Sequence, residues 1–286
     1  MKKIFFVLAT CATLLLASCS KEKSIDSGDP DGPGTGGGGS NETGLLVKTA
    51  IQLGQNDSSV TNYGYDAQNR FIRFWQTGND NVMGDPEEIV ILRNGAGVIQ
   101  TFTVNDDPSS STANTVYTVY NEAGRYTAKV SQQVVSGSTY RDSLVYNYNG
   151  AGQISEEIYY VSIDGSPFAD WAKNEFIYSG NGNLTEYKGY FLDVNTMNYV
   201  QASHILVEYD NKTNPLVLGA EGILLDQINF VSPNNVTKAT VNDLEDPANN
   251  EVATYAYVYN DKNKPATASI TLQSIGLPIP VTFHYQ

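Results

Sequence analysis

The feature that most constrains this chain is a unit that recurs about every 28 residues. Each copy sets a tyrosine before a short polar turn and an apolar residue after it. Tyr65-Asp66-Ala67-Gln68-Asn69-Arg70-Phe71 is echoed by Tyr120-Asn121-Glu122-Ala123-Gly124-Arg125-Tyr126, by Tyr148-Asn149-Gly150-Ala151-Gly152-Gln153-Ile154, and by Tyr178-Ser179-Gly180-Asn181-Gly182-Asn183-Leu184. A degenerate copy stands at Arg93-Asn94-Gly95-Ala96-Gly97-Val98, with partial ones at Tyr209-Asp210-Asn211-Lys212 and Tyr259-Asn260-Asp261-Lys262-Asn263-Lys264. From 65 to 93, 120, 148 and 178 the steps are 28, 27, 28 and 30 residues. Asn, Asp and Gly tolerate the positive φ of tight turns, and the flanks are rich in Tyr, Val, Ile and Thr, so each copy reads as a hairpin. A fixed period of this length marks an array of supersecondary units.

Side-chain alternation supports strands between the turns. In 125–134, Arg125, Thr127, Lys129, Ser131 and Gln133 share one face, opposite Tyr126, Ala128, Val130 and Val134. Two strands of eight to ten residues with two turns fill each period. The expected fold is therefore all-β, an up-and-down antiparallel meander of about 16 strands. That number is too many to stay flat, so the sheet should curl or close into a barrel. Leu216 to Phe230 breaks the pattern after Asn214-Pro215; a short helix is expected near 216–230, as a plug or cap over one end. The last strand, Val281 to Tyr285, should pair with a neighbour and close the remaining edge.

The N-terminus carries a different signal. Lys2 and Lys3 precede an apolar run from Ile4 to Leu16 that is short for a membrane span. Leu16-Ala17-Ser18-Cys19 then forms a lipobox, in which the cysteine is acylated and becomes the first residue of the mature chain. Residues 1–18 are expected to be a signal peptide, 19–44 a lipidated flexible tether, and 45–286 a single repeat-built β domain. The tether is rich in Ser, Asp, Pro and Gly and has too few apolar groups to offset ordering entropy. Several acyl chains would anchor the protein stably in the outer membrane, at the periplasmic face or the cell surface.

Removing residues 1–18 takes away two lysines and no acids, leaving 15 basic against 31 acidic residues. An excess of that size argues against nucleic acid as a partner. With Cys11 removed and Cys19 acylated, no thiol remains for disulfides, catalysis or metal binding. Arg73, Asp142 and Glu156 fall among the hydrophobics of the strands, and Gln286 replaces a terminal aromatic. The barrel is therefore expected to stand outside the bilayer.

The Tyr-Asp-x-x-Gly/Asn-Arg pattern resembles, in degenerate form, the YD repeats of RHS-type shells. The lipobox, the acidic Gly-rich tether, and the late Tyr209-Asp210-Asn211-Lys212-Thr213-Asn214-Pro215 with Asn234-Asn235-Val236-Thr237-Lys238 are similar to bacteroidete lipoproteins with a porin-like β-meander. That resemblance implies the fold over nearly the whole mature chain. It carries over no catalytic residue, because the group has no assigned activity. Glu22, Asp26, Asp29 and Asp31 loosely resemble the acidic export signals of such lipoproteins.

Little in the sequence points to catalysis. There is no phosphate-binding glycine loop, no His-x-x-x-His and no Gly-x-Ser-x-Gly elbow. His204 and His284 stand 80 residues apart, each in a strand-like segment. Glu87-Glu88 and Glu156-Glu157 are adjacent, so on a strand each pair divides between opposite faces. The acidic loops Asp80 to Glu88, Asp106-Asp107 and Asp243 to Glu251 offer oxygen ligands for calcium without EF-hand spacing. No cofactor is expected beyond that option. Trp75 and Trp171, both beside loops, are the candidate stacking platforms for a glycan, while the 19 tyrosines also suit cross-strand packing. Asp142-Ser143-Leu144 resembles a bacteroidete O-glycosylation site centred on Ser143. The expectation is a non-catalytic, outer-membrane-anchored lipoprotein that binds a glycan or an envelope protein. The alternatives are a glycan- or peptide-processing hydrolase with a carboxylate site and a passive structural shell.

Overall fold

The computed structural model describes residues 44–52, 58–78, 88–105 and 114–286. The signal peptide, Cys19, nearly all of the tether, residues 80–87 and Asp106-Asp107 lie outside the described residues. The first eight strands are β1 (Leu46–Gln52), β2 (Ser58–Tyr65), β3 (Phe71–Gly78), β4 (Glu88–Arg93), β5 (Ile99–Asn105), β6 (Asn114–Glu122), β7 (Arg125–Val135) and β8 (Ser138–Tyr148). The rest are β9 (Ile154–Ile163), β10 (Ala169–Tyr178), β11 (Leu184–Asp193), β12 (Asn198–Thr213), β13 (Asn234–Asp243), β14 (Glu251–Tyr259), β15 (Pro265–Leu272) and β16 (Pro278–Tyr285). Each pairs antiparallel with its sequence neighbours, and β1 pairs with β16, closing a 16-stranded barrel. Among the described residues, an α-helix, α1 (Ala220–Leu224), and a 3-10 turn at Ile228–Phe230 fall where the sequence pattern broke.

The repeat is a single turn built several times at one end of the barrel. Asp66 Oδ1 accepts the Gln68 and Arg70 amides at 2.9 Å. Asn94, Asn149 and Asn260 do the same for the amides two and four residues on, at 3.0 Å. The residue three after each Asx takes positive φ: Asn69, Gly97, Gly152 and Asn263. At Gly152, φ is 79°, a conformation that a β-carbon would strain. The tyrosine before the turn locks one hairpin to the previous one. Tyr65, Tyr148, Tyr178 and Tyr209 donate to the carbonyls of Leu46, Tyr126, Ile154 and Leu184 at 2.5–2.9 Å, and Tyr285, at the end of β16, makes the same bond to Pro265 O at 2.8 Å. In the degenerate copy, the Arg93 guanidinium donates to Phe71 O instead. Much of the tyrosine content is thus explained by a lattice of hydrogen bonds around one rim.

A bulge follows each of these turns. Ile72, Gln100, Thr127, Ser155, Thr185 and Ala266 are the extra residues, read from the register shifts of six hairpins. The residue after the turn points in, the bulge residue is skipped, and the inward set resumes three positions later. The inward pairs are therefore Phe71 and Phe74, Ile99 and Phe102, Tyr126 and Lys129, Ile154 and Glu157, Leu184 and Tyr187, Pro265 and Ala268, all buried. This corrects the simple alternation read for 125–134. Tyr126 shares the inner face with Lys129, Ser131 and Gln133, while Val130 and Val134 point outward.

The plug is an insertion into the sixth copy of the turn. Asp210 Oδ1 still accepts the amide two residues on, from Lys212 at 2.8 Å. Its second donor is Asn235, which arrives only after the chain has crossed the barrel mouth and returned. Leu216, Ile223, Leu224, Leu225 and Val231 of that crossing are buried against the ring of residues that follow the turns. Burial of these side chains contributes roughly 1.5–3 kcal/mol each. The bore is filled at this rim.

Candidate functional site

Two surfaces inside the barrel and one outside it carry chemistry. The first is a polar seam that fixes the plug. Arg93 grips Glu221 in a bidentate pair, with both bonds at 2.7 Å, and Tyr126 Oη adds a third at 2.7 Å. Burial works against the Arg93 charge, but Glu221 outweighs it and raises the guanidinium above its ordinary range. From β7, Lys129 Nζ donates to Leu224 O at 3.0 Å and to Asp226 Oδ2 at 2.8 Å. Lys129 is 1% exposed and lies 4.0 Å from Glu157, itself 4% exposed. Burial first, with Asp226 adding to it, pushes Glu157 up to about 7 against the pull of Lys129. Asn174 donates to Oε2 at 3.1 Å, whereas Oε1 and the neighbouring Tyr146 hydroxyl have no hydrogen-bond partner. Lys129 and Glu157 occupy the inward repeat position held elsewhere by Phe74, Phe102 and Tyr187. That substitution of charge for an aromatic was the signal available in the sequence.

The second surface is a cavity of about 220 Å³ between the plug and the wall formed by β12–β16 and β1–β3. Ile205, Tyr255, Ile270 and Val281 line its wall side, and Ile228 and Phe230 its plug side. Asp226 reaches its edge, whereas Lys129 and Glu157 do not line it.

The outer wall carries ion pairs on β3–β4 and on β10–β13, among exposed apolar residues such as Val90, Val116, Leu206 and Val258. Arg73 bonds Glu88 at 2.7 Å, Lys173 bonds Glu175 at 2.7 Å, and Lys238 bonds Glu208 at 2.9 Å. Glu186 is shared by Lys188 and His204 at 3.1 and 2.6 Å. Such exposed pairs contribute little stability. A lipid-exposed barrel shows the reverse alternation, apolar outside and polar inside. Of the three strand charges picked out in the sequence, Arg73 and Glu156 face outward, and Asp142 faces inward, accepting from Tyr159 Oη at 2.7 Å.

The expected site residues are widely separated. Trp75 lies on β3 and Trp171 on β10, seven strands apart around the ring. Trp75 is half-buried on the outer wall over Gly64, and the Arg73 guanidinium covers one ring face at 4.6 Å. Trp171 is the extra residue of a bulge at the start of β10, 44% exposed at the rim opposite the plug. Nearby, Phe168 is 42% exposed beneath the Arg141 guanidinium, and Tyr190 and Tyr199 flank Lys173 on the same outer wall. Ser143 points outward in mid-strand between Val130 and Tyr160, while Asp142 and Leu144 point in.

In the loop from Asp243 to Glu251 the carboxylates are committed to turn bonds. Asp243 accepts the Glu245 and Asp246 amides at 2.9 Å, and Glu251 accepts those of Val252 and Ser274. Among the described residues, no three His, Cys, Asp or Glu side chains converge as a metal site. Glu156 and Glu157 take opposite faces, one bonded to Asn147 outside and the other buried inside. On the terminal strand, burial and the neighbouring Lys48 hold His284 below its ordinary range.

The 16-stranded up-and-down barrel belongs to a known architecture. It superposes on a porin-like protein of Bacteroides vulgatus ATCC 8482 with a TM-score of 0.51 at 13% identity, covering 85% of this chain and 98% of that one. A porin-like protein of Bacteroides uniformis ATCC 8492 gives 0.48 at 13% identity, over 84% and 96%. No family model matches the sequence, and no curated protein does. The likeness defines the fold, a porin-like closed barrel.

Proposed function

We propose that this chain is a non-catalytic envelope lipoprotein, a water-exposed barrel held on an acylated Cys19 that binds a glycan at the rim opposite the plug. The charged outer wall is the observation that carries this reading. Mid-depth charges on a lipid face cost about 2–4 kcal/mol each for Arg or Lys, so a barrel with this wall favours water. The barrel begins at the plug rim, where the Gly44 amide bonds Gln286 O at 2.7 Å. A tether leaving there presents the opposite rim to the surroundings. That rim carries Trp171 and Phe168, whose exposed rings suit the apolar face of a pyranose and cost little entropy to order.

The hydrolase alternative would need Glu157, the acid with a raised pKa. Its carboxylate is sealed behind Lys129 and Asn174 and does not line the cavity beside the plug, which supports a structural role. Glycosylation of Ser143 would have to precede barrel closure, because Asp142 and Leu144 of its motif turn inward.

Two variants test the reading. Cys19→Ser should release the protein from the membrane fraction without loss of the fold, and Trp171→Ala should abolish binding on a glycan array at unchanged melting temperature. Retention of Cys19→Ser in the membrane, or equal glycan binding by Trp171→Ala, contradicts it.

A further inference from the structure

We propose that the cavity beside the plug is a binding site for an uncharged apolar ligand, a hydrocarbon chain or ring. This site is separate from the glycan rim and stands without it. The cavity is about 220 Å³ and its lining is largely apolar, with Thr49, Thr61, Gln76 and Asn214 among it; an apolar cavity of roughly 150 Å³ already admits a molecule the size of benzene.

The repeat explains why space exists here. Ala268 occupies the inward position that Phe74, Phe102 and Tyr187 fill in other copies, so the inner ring lacks an aromatic at this point. Ala239 and Ala253, paired across β13 and β14, continue the recess. A missing ring in a fixed wall is a space with the shape of an apolar group.

The chemistry of the lining selects charge as well as size. Among the described residues that line the cavity, Asp226 is the one that carries a charge, and Lys129 already holds it at 2.8 Å. Those residues leave no free charge to pair with an ion, so a charged group would lose its hydration without compensation. Tyr255 lines the wall, and its hydroxyl has no hydrogen-bond partner. That hydroxyl is itself fully buried, so it offers the cavity no polar contact. Both sides of the cavity are fixed before binding: the wall by its ladder, the plug by Arg93–Glu221 and Lys129–Asp226. A preformed site avoids the ordering cost of association.

The test uses N-phenyl-1-naphthylamine, an uncharged dye whose fluorescence rises in apolar surroundings, with the mature chain carrying Cys19→Ser so that no acyl chain competes. Saturable binding at one dye per barrel is expected. Ala268→Phe should weaken it at least tenfold, while Ala256→Phe, on the outer face of β14, leaves it unchanged. Competition by decanol against competition by indole distinguishes a chain from a ring as the preferred ligand. If Ala268→Phe fails to fold by circular dichroism, Ala239→Leu adds less bulk to the same recess and should weaken binding in its place. Absence of saturable dye binding by the parent, or equal affinity in the folded cavity variants, overturns the proposal. Glycan binding should be indifferent to Ala268→Phe, which separates this site from the Trp171 rim.

Discussion

At the scale of single residues, the most consequential side chain is Glu157. A carboxyl raised from 4.5 to about 7 in the folded protein favours its neutral form there. Its contribution to stability is therefore complete below about pH 4.5 and disappears as pH rises through 7. The span corresponds to at most about 3 kcal/mol. Replacing the acid with an amide of the same shape removes the titration. The parent's melting temperature should therefore decline between about pH 4.5 and 7, and Glu157→Gln should flatten that decline, as measured by calorimetry. An equally steep decline in the variant would mean that other groups set the pH dependence. Glu157 was not legible as a buried acid from its own neighbourhood, where it is half of an adjacent pair. It becomes so only when the repeats are aligned on the residue after each turn, which places it and Lys129 level with Phe74 and Phe102.

At the scale of elements, the turn chemistry was legible because it is local. An Asx side chain, a positive-φ slot three residues on, and a tyrosine before them form a set that recurs in the sequence, and the hairpins form where that set occurs. The bulge after each turn was not legible, since it adds one residue without a composition of its own; Ile72, Thr127 and Ala266 share no chemistry. Missing it reverses the inner and outer faces over the rest of the strand. The plug was visible as a break at Leu216 to Phe230. Its anchors, Arg93 and Tyr126, lie 128 and 95 residues away from Glu221 in sequence, and no local pattern announces them. Glu221→Ala should show what they contribute. The substitution leaves Arg93, with a side chain 7% exposed, without its partner. Removing one member of such a pair costs roughly 3–5 kcal/mol. Chemical denaturation should register a loss in that range, together with faster amide exchange at Leu225. A loss below about 1 kcal/mol would show that the seam does not hold the plug.

At the scale of the whole molecule, the fold is porin-like while the placement of polarity is not. Closing the sheet removes every edge, as in membrane barrels, yet the apolar faces turn inward onto a plug and a cavity. Exposed ion pairs lie on the outer wall, while Arg93–Glu221 and Lys129–Asp226 are confined to the seam that fixes the plug, on a chain whose net formal charge is −14. The architecture thus serves water as readily as lipid, and the outer wall decides which. Cysteine scanning measures that wall directly, because the sequence has only Cys11 and Cys19, and in the proposed lipoprotein the first is removed and the second acylated. Thr118 and Thr254 point outward in mid-strand and Ala268 points inward. In the acylated protein on vesicles, a membrane-impermeant maleimide should label Thr118→Cys and Thr254→Cys fully and leave Ala268→Cys unlabelled until the protein is denatured. Protection of Thr118→Cys and Thr254→Cys in vesicles, relieved by detergent, would place the wall in lipid and contradict the account.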